Sequence, residues 1–153
     1  MKKKSLHLLL NALFLFLGIQ IHAQTEIKPE LLTKETFIKK VWNYAESPNE
    51  FKYLGDKPCL IDFYADWCGP CRRIAPFMEE LCKAYDGKIY IYKINVDQQK
   101  ELSNLFQARN IPLVVFIPMT GKPSSALGAQ PKETYEQYIK QILLGQPEKQ
   151  NNK

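Results

Sequence analysis

Two cysteines separated by two residues, Cys68 and Cys71, are the part of this chain best suited to chemistry. Thiols at that spacing can close a small ring and exchange it with a disulfide in another molecule. Gly69 and Pro70 shape the turn between them, and Trp67 stands immediately before the pair. Attack on a disulfide requires a thiolate, and a free cysteine with a pKa of about 8.5 is mostly protonated at neutral pH. A helix starting at the pair would favour the charged form of Cys68, because unpaired N–H groups and the positive end of the macrodipole meet there. The only histidines are His7 and His22. Beyond residue 23 there is no imidazole to activate a cysteine or to join a metal site, which excludes Cys-His protease chemistry. One C-x-x-C without a second pair or a histidine is a weak metal signature, so no metal and no other cofactor is expected.

The elements that must hold this pair can be read from hydrophobic pattern. Leu60–Ala65, led by Cys59, is apolar apart from Asp62 and suits a central strand buried on both faces. After the pair, Ile74, Phe77, Met78, Leu81 and Tyr85 form one helical stripe, with Pro76 inside the helix and Asp86-Gly87 ending it. Upstream, Thr33 caps a helix predicted from Lys34 to Ala45, with Phe37, Ile38, Val41 and Trp42 on its apolar face. Downstream, Ile89–Val96 and Leu113–Ile117 read as strands, and Glu101–Arg109 as a helix between them. Ser124–Leu127 completes a hairpin, and Tyr135 to Leu143 mark a last amphipathic helix capped by Gly145. The order α-β-α-β-α-β-β-α predicts an α/β fold with a mixed central sheet and helices on both faces. Cys59 and Cys82 are expected to be apolar fillers, a second disulfide between them being the other option.

The ends of the chain bear on the compartment. Lys2, Lys3 and Lys4 precede an apolar run from Leu8 to Ile21, and Ala23 is a small residue before a cut at Gln24. This is the pattern of a cleaved signal peptide over residues 1–23, with an uncleaved membrane anchor as the alternative. Residues 24–145 are read as one domain and 146–153 as a polar tail. The formal charge is +5, but the three leader lysines and no acid fall before residue 24, leaving 18 bases against 16 acids, or +2. That balance does not suggest a nucleic-acid partner. A monomer outside the cytoplasm, periplasmic or secreted, is expected.

The run Asp62-Phe63-Tyr64-Ala65-Asp66-Trp67-Cys68-Gly69-Pro70-Cys71 resembles the thioredoxin family. So do Lys93-Ile94-Asn95-Val96-Asp97, Arg109-Asn110-Ile111-Pro112 and Gly128-Ala129, at matching distances. The resemblance covers Thr33 to Leu144. It implies a thioredoxin fold and a thiol–disulfide oxidoreductase acting on protein disulfides, with Cys68 as nucleophile and Cys71 as resolving thiol. It implies that Asp62 accepts the proton of Cys71, that Lys93 is its electrostatic partner, and that Pro112 is a cis-proline. Trp67, Gly69, Pro70, Ile111, Gly128 and Ala129 would form the docking surface for substrate. The Gly-Pro dipeptide resembles the reducing branch, which in an exported protein requires a membrane electron donor. An oxidase or isomerase, or a non-catalytic binding module, are the alternatives. The chain departs from the family pattern at Tyr64, where Trp is frequent, at Leu113, where Thr is common, and over Ala45–Lys57, which looks longer than in a minimal member.

Overall fold

The β-branched and aromatic runs assemble into one five-stranded sheet. The structure, a computed structural model, describes residues 26–146; the expected leader and most of the polar tail lie outside them. In chain order the elements are β1 (Glu30–Leu31), α1 (Lys34–Lys40), β2 (Cys59–Tyr64), α2 (Gly69–Ala84), β3 (Tyr90–Asn95), α3 (Lys100–Leu105), β4 (Leu113–Ile117), β5 (Ser124–Leu127) and α4 (Lys132–Tyr138). A π-helical turn, Ile139–Leu143, extends α4. The strands lie in the order β1-β3-β2-β4-β5. β1 and β2 run parallel to β3, while β4 is antiparallel to β2 and β5 to β4. This is the expected mixed sheet, with one strand added at its edge.

β2 sits at the centre because its composition lets both faces be covered: five of its six residues are buried. Alternation divides it. Cys59, Ile61 and Phe63 join Phe37, Val41 and Leu102 beneath α1 and α3. Leu60 joins Ile74, Met78, Leu81 and Tyr135 beneath α2 and α4. Asp62 and Tyr64 share the second face by the same period of two. Each large apolar side chain buried in these layers stabilises the fold by about 1.5–3 kcal/mol relative to exposure.

Two helices are shorter than their apolar patterns predict. The helix expected to reach Ala45 stops at Lys40. The Phe37 carbonyl accepts from both Val41 and Trp42 N–H, and the Val41 carbonyl is taken by Leu54 N–H at 3.0 Å. A long-range bond thus replaces the next turn. Likewise α3 ends at Leu105 rather than Arg109, since Gln107 adopts φ 53° and carries the chain out of the helix. The Ala45–Lys57 segment packs back on the core: Phe51 lies 5.2 Å from Trp42 ring to ring, and Tyr53 donates to the Lys57 carbonyl at 2.6 Å.

Candidate active site

The cysteine pair occupies the junction of β2 and α2. Cys68 is the N-cap of α2, in extended conformation, and Gly69 and Pro70 form its first turn. Proline fits there because its missing N–H would have no helical partner. The Cys71 N–H donates to Cys68 Sγ at 3.1 Å, the contact a side-chain cap makes. Sγ also lies 3.8 Å from the Ile111 carbonyl oxygen. Cys68 and Cys71 are joined in a disulfide, with Cα atoms 5.3 Å apart. Both are buried, against Ala65, Tyr64, Val96 and Ile111. The backbone donor and the helix terminus point at Cys68, so a negative sulfur is favoured there.

Three loops meet around the disulfide. Trp67 is 68% exposed, far from a core position, and its indole Nε1–H donates to Asp97 Oδ2 at 2.8 Å. The Ile111–Pro112 peptide bond is cis. The Pro112 carbonyl accepts from Gly128 N–H at 2.8 Å, which ties the β5 end to the proline loop. Gly128 has φ 80°, a conformation that excludes most side chains, and Ala129 packs on the α4 side of the core. Gly69 has open space where a Cβ would stand, the nearest atom being Arg72 Nη2 at 4.0 Å. The sequence-predicted residues Trp67, Gly69, Pro70, Ile111, Pro112 and Gly128 therefore lie on the loops and helix start around the cysteine pair, with Ala129 next in the chain after Gly128.

Asp62 lies behind the pair rather than beside Cys68. It is 1% exposed, and its Oδ1 has no hydrogen-bond partner. Burial pushes the carboxyl up to about 7, against the pull of the Lys93 cation. Lys93 is the register partner of Asp62 on β3, and its Nζ stands 4.2 Å from the centroid of the Tyr64 ring. A cavity of about 210 Å³ is lined by Asp62, Tyr64, Ala65, Asp66, Cys71, Arg72, Ala75 and Lys93. It puts the carboxyl and the second cysteine on one partly open pocket, large enough for water to relay a proton.

Some residues of the site escaped sequence reasoning. Arg72 donates through Nη1 to the Asp66 carbonyl at 2.9 Å and lines one side of the cavity. Asn95 Nδ2 donates to Asp66 Oδ2 at 3.3 Å, while Asn95 Oδ1 accepts from the N–H groups of Asp97 and Gln98. That turn presents Asp97 to Trp67. The signal was the Asn-x-Asp spacing directly after a strand, which favours a side-chain-closed turn. Cys59 and Cys82 are free thiols. Cys59 belongs to the α1/α3 face of the sheet and Cys82 packs against the α2/α4 face, so the sheet separates them.

This arrangement is shared with known proteins. A family model described as Thioredoxin matches residues 31–141. A thioredoxin of Borreliella burgdorferi is 38% identical over 112 residues, covering 73% of this chain and 95% of its own. A chloroplastic M-type thioredoxin of Spinacia oleracea is 38% identical over 107 residues, covering 69% of this chain and 59% of its own. The crystal structure of chloroplastic thioredoxin z superposes with a TM-score of 0.61 at 28% identity, over 76% of this chain and 95% of that one. With its Cys68–Cys71 disulfide at the start of α2, the chain belongs to the thioredoxin family of disulfide oxidoreductases.

Proposed function

We propose that this protein reduces the disulfides of exported proteins, with electrons supplied by a membrane donor. The observation that carries the chemistry is the cavity shared by Asp62 and Cys71, set behind a Cys68 sulfur that caps a helix. The Cys68 thiolate attacks one sulfur of the substrate disulfide and expels the other as a thiolate, which takes up a proton. Cys71 then gives its proton to the Asp62 carboxylate, through water in the cavity, and attacks Cys68 Sγ. The mixed disulfide breaks, the second substrate sulfur leaves reduced, and the Cys68–Cys71 disulfide remains. Two electrons have passed from the dithiol to the substrate. Lys93 tempers the pKa of Asp62 so that the carboxylate form is available near neutral pH. An extended substrate segment lies across Pro112 and Ile111, with Trp67, Gly69, Pro70, Gly128 and Ala129 beside it.

The direction rests on the Gly69-Pro70 dipeptide and the absence of histidine after residue 23. The compartment rests on Lys2–Lys4, the apolar run and Ala23. Trapping with Cys71→Ser in the native host tests both. Exported proteins and a membrane protein bearing reactive thiols should be captured as mixed disulfides. Capture of cytoplasmic proteins alone would overturn the compartment. A couple with a potential near about −120 mV, that of a strong oxidant, would reverse the direction.

A further inference from the structure

We infer that the Tyr64 ring is the seat that keeps the Lys93 ammonium beside Asp62, which makes Tyr64 a positioning residue for the proton acceptor. Asp62 and Tyr64 are two residues apart on β2 and share one face, and Lys93 is the parallel partner of Asp62 on β3. A lysine on that face has a flexible stem and normally carries its head to water. Here Nζ stands over the half-buried Tyr64 ring at 4.2 Å from its centroid. That is well inside the range where the negative face of an aromatic ring attracts a cation. Among the described residues Lys93 makes no ion pair within 4.0 Å, so the ring, and not a carboxylate, is its partner.

The separation matters for the chemistry. A direct ion pair would hydrogen-bond the carboxylate and weaken it as a base. With the ammonium seated on the ring, its charge still favours the Asp62 carboxylate, while the buried Oδ1 keeps no hydrogen-bond partner. The other groups facing the cavity are Asp66 in the loop after β2 and Cys71 and Arg72 on α2. Tyr135 of α4 also feels the charge of Asp62, with its own hydroxyl engaged by Gln130 N–H and the Gly128 carbonyl. None of these lies over the Lys93 head as the Tyr64 ring does. The role supposes the proton-transfer reading of Asp62 given above, but it is tested separately.

The test is NMR titration of the Asp62 side-chain carboxyl in the full-length oxidised protein, where neither active-site cysteine titrates. Tyr64→Leu should raise the Asp62 midpoint by about half a pH unit, since the cation is released toward solvent. Tyr64→Phe and Tyr64→Trp, which keep an aromatic face, should leave it where it is. Lys93→Met should raise it at least as far, and Tyr64→Leu added to Lys93→Met should raise it no further. In the wild type the Lys93 side-chain methylene next to Nζ should show an upfield ring-current shift, a readout that needs no variant. An unmoved midpoint in Tyr64→Leu, an equal shift in Tyr64→Phe, or no ring-current shift would each overturn the inference. Failure of Asp62 itself as the acceptor would show elsewhere, as equal slowing of mixed-disulfide formation and release in Asp62→Asn.

Discussion

Replacing Asp62 by Asn should stabilise the oxidised protein at neutral pH and give no gain near pH 4. The carboxyl rises from an ordinary 3.8 to about 7 because burial penalises its charge more than Lys93 relieves it. The folded pKa therefore lies above the unfolded one, and the folded state binds the extra proton between them. Stability from this group is fully present below about pH 4 and is lost as pH rises through about 7. A shift of about three pH units, at 1.36 kcal/mol each, amounts to about 4 kcal/mol. Asn removes that titration, but its amide enters a site where Oδ1 finds no partner, at a cost of about 1–3 kcal/mol. The net gain at pH 8 is then about 1–3 kcal/mol. The amide cost does not vary with pH, so the change in the difference between pH 4 and pH 8 isolates the carboxyl. Urea unfolding of both oxidised proteins across that range measures it. A difference that stays constant with pH, or a wild type that gains on the variant as pH rises, would refute the reasoning.

Gly55→Ala should destabilise by about 1–3 kcal/mol in the same unfolding assay. A Cβ there would collide with the Tyr53 hydroxyl, which is committed to the Lys57 carbonyl. A wild-type midpoint would show that Tyr53 moves aside freely. Mild alkylation of the native oxidised protein at pH 8 should label Cys82 and spare Cys59, read by peptide mass. Cys82 is half-buried, whereas burial pushes the Cys59 thiol up to about 12, leaving it fully protonated and inaccessible. Equal labelling of the two would mean that the strand end carrying Cys59 opens readily.

Much of the layout was legible because it rests on local rules. The apolar run at Cys59–Tyr64 could be a strand covered on both sides, and the stripe from Ile74 to Tyr85 could face only one way. Thr33 announced its helix by a side-chain cap that forms between Thr33 and Thr36. What was missed depends on partners distant in sequence. β1 is two residues long and has no pattern of its own; it exists because Glu30 and Leu31 find Tyr92 and Lys93 on β3. The end of α1 is set by Leu54, thirteen residues beyond Val41, and no periodicity within the helix records it. The extra length around Phe51 and Tyr53 packs on the core through the Trp42 ring, a contact that no local pattern in that segment records.

By itself the sequence determined the chemistry and its location. A Cys-Gly-Pro-Cys turn between a buried strand and an amphipathic helix can be little other than a redox site. The reason is that thiol spacing, proline at a helix start and apolar periodicity are all properties of neighbours in the chain. Only the tertiary structure decided the electrostatics. That Asp62 is buried without a partner at Oδ1, shares a cavity with Cys71 and lies beside a lysine seated on Tyr64 follows from how β2, β3 and α2 pack. A carboxyl's pKa is set by the water it loses and the charges it gains, and both come from residues that folding alone brings near.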